Sequence, residues 1–231
     1  MPPPATTSTT PTTLLTAIDI VAALDIENGI GTGTAMPWHL KADLKWFATL
    51  TTTHSNKTDD KWLAKKSIHA AKATIPSSSP PPPLRPHTGV IMGRKTWEAL
   101  PSQYQPLPHR INIILSKQER HKYLTTSALT HKNVKTYTTL EQALTYASIE
   151  LKRLFVIGGR RLYQQFLTPP LNTELRYLYI THIAKNFNCK VKFPNFLDLV
   201  ASEKLSLIKE KEKDLAYEII RYRMKKACTK N

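Results

Sequence analysis

The chain has 231 residues, 41% apolar and 22% charged, which is the balance of an ordinary globular protein long enough to bury a substantial core. No apolar run approaches the roughly 18 residues of a membrane-spanning helix, and two cysteines (Cys189, Cys228) without CxxC spacing, with eight dispersed histidines, leave no metal-ligand motif, so no metal site is expected. The net charge of +16, from 33 basic and 17 acidic residues, points to anionic partners, but the cations are scattered from Lys41 to Lys230 without a basic–aromatic repeat, so no dedicated nucleic-acid site and no membrane partner is expected.

Residues 1–16 are rich in Pro and Thr and carry no charge. They lack the basic start of a secretory signal and the arginines of a mitochondrial presequence, and read as a disordered tail. The expected location is cytoplasmic, a mitochondrial one being left open. Ala17 to Leu24 is an apolar run without helical period, a buried strand. Asp25 to Gly29 is turn chemistry, and Gly31 and Gly33 permit unusual backbone angles and close ligand approach. Apolar residues at 40, 44, 47 and 50 predict a helix to Leu50. Asp43 lies in its first turns, and Phe47, four residues on, projects from the same face. Two readings of Asp43 stand: a structural carboxylate favouring the positive helix N-terminus, or one that with Phe47 holds a flat, nitrogen-rich heterocycle.

Residues 54–88 read as a basic, Pro-rich surface insertion, with a short helix from Asp60 to Ala73 and then SSSPPPPLRP, either a solvated loop or a proline-recognition ligand. Val90 to Met92 is a strand leading through Gly93, Arg94, Lys95 and Thr96 into a helix, where cations and a hydroxyl suit a phosphate, although the spacing is not that of a P-loop. Pro101 to Pro108 is a loop closed by Arg110. Ile111 to Leu115 is a strand ending in Ser116 and Lys117, a second hydroxyl with a cation. Val134 to Tyr137 is a strand, and Thr138 with Glu141 predicts a capping box for a helix to about Arg153. Leu154 to Ile157 is a strand running into Gly158-Gly159-Arg160 and a helix from Arg161 to Leu167, an arrangement whose backbone amides can meet a pyrophosphate. Tyr177 to Ile183 is a strand carrying Thr181 and His182, and Phe193-Pro194 marks a turn. Lys204 to Lys211 and Ala216 to Lys225 form a terminal hairpin. Together these describe an α/β fold in one domain, residues 17–226. A central mixed, mostly parallel twisted sheet of about eight strands carries helices on both faces and a C-terminal antiparallel hairpin.

The segments VAAL (21–24), NGIG (28–31), AMPWHLKADLKWF (35–47), VIMGRKTWEALP (90–101), PLPHRINIILS (106–116), FVIGGRRLYQQFL (155–167), YITHI (179–183) and FPNF (193–196) resemble dihydrofolate reductase, in family order. Each is weak alone; the ordered set is specific. The 54–88 insertion resembles eukaryotic, fungal-like members, whereas Asp rather than Glu at 43 is the bacterial-style choice.

The resemblance implies NADPH-dependent reduction of dihydrofolate to tetrahydrofolate by a monomer without a fused thymidylate synthase segment. Asp43 would bind the pterin's 2-amino and N3 edge and assist proton delivery through water, with its pKa raised by burial. Thr181 would fix that carboxylate, and Trp38 would anchor an ordered water. Val21, Ala22, Leu44, Phe47, Leu100, Leu107, Ile157 and Tyr163 would complete the substrate pocket, and Arg110 would pair with the glutamate tail. For the cofactor, the resemblance points to Ala23 and Ile30 at the carboxamide and to Gly31, Thr32, Gly33, Thr34 and Ala35 as a mobile cover. Gly93, Arg94, Lys95, Thr96, Leu115, Ser116 and Lys117 would lie at the phosphates, and Ile157, Gly158, Gly159, Arg160, Arg161, Leu162 and Tyr163 around pyrophosphate and nicotinamide. Two departures stand out. Lys190 occupies a place where an acid is usual, and Gly33 is expected to loosen closure of the cover. A related pteridine or pyrimidine reductase, or a basic nucleic-acid-binding protein on a reductase scaffold, are the alternatives.

Overall fold

The computed structural model describes residues 15, 17–53, 87–119, 124–212 and 214–225. The expected 60–73 helix, the proline run and both terminal tails lie outside the described residues. The elements are, in order, β1 (Ala17–Leu24), β2 (Gly29–Gly31), α1 (Lys41–Thr52), β3 (Thr88–Gly93), α2 (Arg94–Glu98), β4 (Ile111–Leu115), α3 (Thr126–Thr130), β5 (Val134–Tyr137), α4 (Leu140–Glu150), β6 (Arg153–Gly158), α5 (Arg160–Phe166), β7 (Leu175–Ile183), β8 (Val191–Lys192), β9 (Val200–Glu212) and β10 (Leu215–Met224).

Eight strands form one sheet in the order β5-β4-β3-β6-β1-β7-β10-β9. Neighbours from β5 to β7 are parallel, and β10 and β9 close the far edge antiparallel, as the alternating terminal segments predict. Side chains alternate across the pleat. Ile18, Ile20, Ala22 and Leu24 of β1 join Ala143, Ala147, Leu162 and Phe166 of α4 and α5 on one face. Val21, Val90, Met92, Phe155 and Tyr179 join Trp46 and Leu50 of α1 and Trp97 of α2 on the other. The helices therefore cover both faces. At the N-terminal ends of the parallel strands, buried Asp19 accepts hydrogen bonds from Arg153 (2.8 Å) and Arg176 (2.9 Å), tying β1, β6 and β7 together at the edge away from the glycine-rich turns.

Local readings shift at several boundaries. Strand β3 begins at Thr88, two residues before Val90, which removes Thr88 from the surface insertion; the preceding His87 carbonyl accepts the Lys152 amide at 2.8 Å. The expected Thr138–Glu141 capping box is replaced by Thr139, whose side chain accepts from the Gln142 amide at 3.3 Å, while Thr138 donates to the Gln142 side chain. That helix ends at Glu150, because Arg153 already belongs to β6. Helix α5 starts at Arg160 and ends at Phe166, one residue earlier at each end than predicted. The short pair β2–β8 has no sequence signal: each strand is too brief for alternation, and they are brought together by tertiary contacts.

Candidate functional site

Because the strands from β5 to β7 run parallel, the C-terminal ends of β1, β3, β4, β6 and β7 share one edge. Helix α1, after β1, packs on one face of the sheet, and α5, after β6, packs on the other. A crevice opens where adjacent strands send their chains to opposite faces, the usual place for a ligand in such sheets. The register sets Ala23 beside Thr181, Met92 beside Gly158 and Gly93 beside Leu115.

Asp43 projects from the first turn of α1 to the end of β7. Its Oδ1 accepts from the buried Thr181 hydroxyl at 2.6 Å. Burial pushes the Asp43 carboxyl up to about 6; the Thr181 bond works against that rise and the negative charge of Glu212 adds to it. The expected upward direction is thus what the site gives. Helix α1 has no side-chain cap at Leu40, and the Ala42 amide instead donates to Glu212 Oε2 at 3.3 Å, reaching across from the end of β9. Leu44 and Phe47 are half-buried on the same helix. Trp38 is buried edge-on against Phe187 at 5.3 Å between ring centroids. Val21 faces α1, whereas Ala22 is packed on the opposite, α5 side of the sheet, so Ala22 meets the crevice only through its backbone.

Arg110 is 2% exposed, yet among the described residues no carboxylate pairs with it. Its Nε donates to the Pro108 carbonyl at 2.9 Å, its Nη1 donates to Thr51 Oγ1, and its guanidinium lies 5.6 Å from the Phe47 ring centroid. Burial lowers its pKa to about 10. The turn that presents it is locked by buried Asn112, whose side chain accepts from the Leu107 amide (2.9 Å) and donates to the Leu107 (2.9 Å) and Arg110 (3.1 Å) carbonyls. Gln105 holds the neighbouring segment by donating to the carbonyls of Trp97 (2.8 Å) and Leu100 (2.7 Å). Phe47 and Thr51 are four apart on α1, so one helix face carries Asp43, Phe47 and the hydroxyl that receives Arg110.

At the end of β6, Gly158 has φ +134°, and a Cβ there would lie 3.1 Å from Thr96 Oγ1; one at Gly159 would lie 3.3 Å from the same atom. Gly93 adjoins Gly159, so β3 and β6 end as bare backbone beside the Thr96 hydroxyl. Leu162 and Tyr163 are buried on α5, and the Tyr163 hydroxyl donates to the Val21 carbonyl at 2.9 Å. Lys95, Lys117 and Arg161 are exposed. Three other residues assigned to phosphates have partners within the protein. Arg94 pairs with Glu98 at 2.5 Å, Ser116 Oγ accepts the Gln118 amide at 3.0 Å, and Arg160 donates to the Lys192 carbonyl at 3.1 Å.

The segment expected as a mobile cover divides into a base and a tip. Buried Asp25 forms the base: its carboxylate accepts the amides of Gly29 (2.6 Å), Glu27 (3.0 Å) and Phe187 (3.3 Å). Burial opposes its ionisation, but the Gly29, Phe187 and Glu27 amides outweigh that and hold the carboxyl below its usual range. The Asn28 carbonyl accepts the Phe193 amide at 2.7 Å, and Glu27 pairs with Lys192 at 3.1 Å. Gly31 is barred from carrying a side chain, since a Cβ would sit 2.8 Å from the Ala35 carbonyl oxygen. The tip, 32–35, is exposed and closes on itself through the Thr32 amide to the Ala35 carbonyl at 2.9 Å. Gly33 has φ +108° with open space around it, so a substitution there strains only the backbone. Gly33→Ala is expected to leave the melting temperature nearly unchanged and to speed hydrogen exchange at the Thr32 amide; unchanged exchange would show that the tip does not depend on this conformation.

The family model described as Dihydrofolate reductase matches residues 17–56 and 86–224. The chain belongs to the dihydrofolate reductase family. It is 28% identical over 206 residues to a dihydrofolate reductase of Heliothis virescens, covering 87% of this chain and 93% of that protein. It is 30% identical to one of Candida albicans, covering 77% and 73%, and 34% identical to one of Cryptococcus neoformans, covering 66% and 56%. Of the bifunctional dihydrofolate reductase-thymidylate synthase 2 of Arabidopsis thaliana, it spans 26% at 30% identity. The dihydrofolate reductase motifs quoted from the sequence thus bring Asp43, Thr181, Phe47 and Arg110 to one side of the crevice and Gly93, Thr96, Gly158 and Gly159 to the other. Sequence reasoning passed over Thr51, Asn112, Asp25 and Glu212. The four-residue step from Phe47 to Thr51 was one available signal; Asn112 and Asp25 bond to turn residues within five positions of themselves, and Glu212 acts across 170 positions.

Proposed function

We propose that the chain reduces 7,8-dihydrofolate to 5,6,7,8-tetrahydrofolate with NADPH, hydride passing to C6 and a proton to N5. The observation that carries this reading is the part-buried Asp43–Thr181 pair on the same helix face as Phe47 and the Arg110 contact. A carboxylate has the acceptors to take two hydrogen bonds from the 2-amino and N3 edge of a pterin, and Thr181 holds it in place. With its carboxyl at about 6, Asp43 keeps a protonated fraction of about one tenth at pH 7, enough to pass a proton by way of water towards N5 and to be recharged from solvent. Phe47, Leu44 and Leu100 wall the rings, and Arg110 meets the glutamate α-carboxylate. The Val21 carbonyl already accepts from Tyr163, so it offers one remaining lone pair to the substrate.

When bound, NADPH supplies the hydride. The residues present fit it: the bare ends of β3 and β6 at Gly93, Gly158 and Gly159 make a cradle that a Cβ would fill. The Thr96 hydroxyl lies in that cradle, and exposed Lys95 and Lys117 at neighbouring strand ends favour a nucleotide carrying an extra phosphate. Arg94, Ser116 and Arg160 hold the cradle's surroundings through their internal partners. Gly158→Ala combines a disfavoured positive φ, about 1–3 kcal/mol, with a contact on Thr96. It is expected to weaken NADPH binding about tenfold or more, as read by fluorescence titration; wild-type affinity would remove the cradle from the assignment.

The direct test follows NADPH oxidation with dihydrofolate, beside NADH and beside a pteridine lacking the p-aminobenzoylglutamate tail. Preference for NADPH and for the tailed substrate is expected. A dihydrofolate rate at background would overturn the reading, and equal use of the tail-less pteridine would point to a related reductase.

A further inference from the structure

At the start of α1, a recess of about 400 Å³ is lined by Lys41, Ala42 and Lys45 of α1, Glu210, Lys211 and Glu212 of β9, and Tyr217 of β10. Two features set it apart. Glu212 reaches over the uncapped start of α1 to accept the amide of Ala42, the residue before Asp43. Tyr217 is 3% exposed, and its hydroxyl, fully shielded, has no hydrogen-bond partner among the described residues. The antiparallel register places Tyr217 opposite Ile183 and Ile219 opposite Thr181, so Tyr217 stands on the α1 face, two residues along from the strand pair that carries the Asp43 partner.

We propose that this recess is a second electrostatic setting for Asp43, in which the Glu212 carboxylate, anchored on the Ala42 amide, acts on it from the hairpin side. Glu212 is a positioning residue that works through Asp43 and touches neither substrate nor cofactor. The inference rests on the role given to Asp43 above. A negative charge close to the first turn of α1 disfavours a second one at Asp43, and the raised Asp43 carboxyl includes that contribution. Burial first, and then the charges of Asp43, Glu210 and Glu212, push the Tyr217 phenol up, so it stays protonated and adds no charge of its own. Lys41, Lys45 and Lys211 face the same space and oppose the acids. Changing one group at a time separates the contributions.

Glu212→Gln keeps an oxygen to accept the Ala42 amide and removes only the charge. Tyr217→Phe keeps the ring and removes only the hydroxyl. The Asp43 carboxyl carbon is titrated by NMR in the protein without substrate or nucleotide, and single-turnover hydride transfer is followed against pH. Glu212→Gln is expected to move the Asp43 midpoint down from about 6, with the rate profile following, and Tyr217→Phe to leave both in place. A Glu212→Gln midpoint that superimposes on wild type, or an equal shift in both variants, overturns the proposal. Normal NMR shifts with an activity profile that ignores them would instead overturn the role given to Asp43, so the two failures are distinguishable.

Discussion

Replacing Asp43 with asparagine is expected to lower the rate of dihydrofolate reduction at neutral pH by about 10²–10⁴-fold, the range for a positioned acid–base group, and to raise the stability of the protein at the same pH. Asparagine still accepts from Thr181, but it carries no proton to give. The stability gain follows from linkage. The Asp43 carboxyl is raised from 3.8 to about 6 in the folded protein. Below about pH 3.8 it is protonated in both states and contributes nothing. As the pH rises through 6 the folded state must either ionise a buried group or hold a proton that the unfolded chain has lost. Stability therefore falls over that window, by an amount of up to about 3 kcal/mol, lowered by whatever solvent reaches the half-open crevice. Asp43→Asn lacks this loss, so its advantage in chemical denaturation should be visible at pH 7–8 and vanish near pH 4. In the wild type the rate of hydride transfer should rise as pH falls through about 6, and in the variant it should be flat. A wild-type rate in the variant at pH 7 would remove Asp43 from the reaction.

Arg110→Leu is expected to raise the KM for dihydrofolate by about 10²-fold or more with a smaller change in kcat, because truncating one side of a desolvated charge pair costs about 2–5 kcal/mol. The tail-less pteridine should bind the variant and the wild type alike. Arg110 is held by Thr51, the Pro108 carbonyl and the Phe47 ring, with no carboxylate among the described residues to neutralise it. A cation kept in that state lowers stability until an anion arrives, so leucine should not destabilise the fold in proportion to the binding it loses. Arg110→Lys should recover little of the affinity, since an ammonium cannot reproduce the planar two-pronged contact. If dihydrofolate and the tail-less pteridine lost affinity equally, Arg110 would be shaping the pocket rather than meeting the tail.

Much of this arrangement is legible from residue order. The apolar period of the strands and the 40, 44, 47, 50 spacing place the sheet and α1, and glycines at strand ends mark the cradle, where Gly158 has φ +134° and a Cβ at Gly158 or Gly159 would press on Thr96. Asp43 could be placed on the right helix face, but its partner Thr181 lies 138 positions away, and nothing local connects them. The same holds for Glu212, which caps α1 from 170 positions on, and for the contact of Asp25 with the Phe187 amide, 162 positions away. Arg94 is expected at a phosphate from its place in a cation-bearing turn, and Arg160 from the family resemblance. The i,i+4 spacing to Glu98 is legible beside Arg94, whereas nothing local shows that β8 passes within reach of Arg160.

The Asp25 clasp also sets the entropy of covering the crevice. With the base of the cover tied to the 184–193 segment through the Asp25, Asn28 and Glu27 contacts, only the four residues Thr32, Gly33, Thr34 and Ala35 remain to be ordered when a ligand arrives. At about 1–2 kcal/mol per backbone residue, a free ten-residue flap would consume much of the binding energy of a small substrate. A four-residue tip that already closes its own hydrogen bond asks for far less. Under the proposed function, such a short tip would cover the ligand while leaving most of its contacts to appear as affinity.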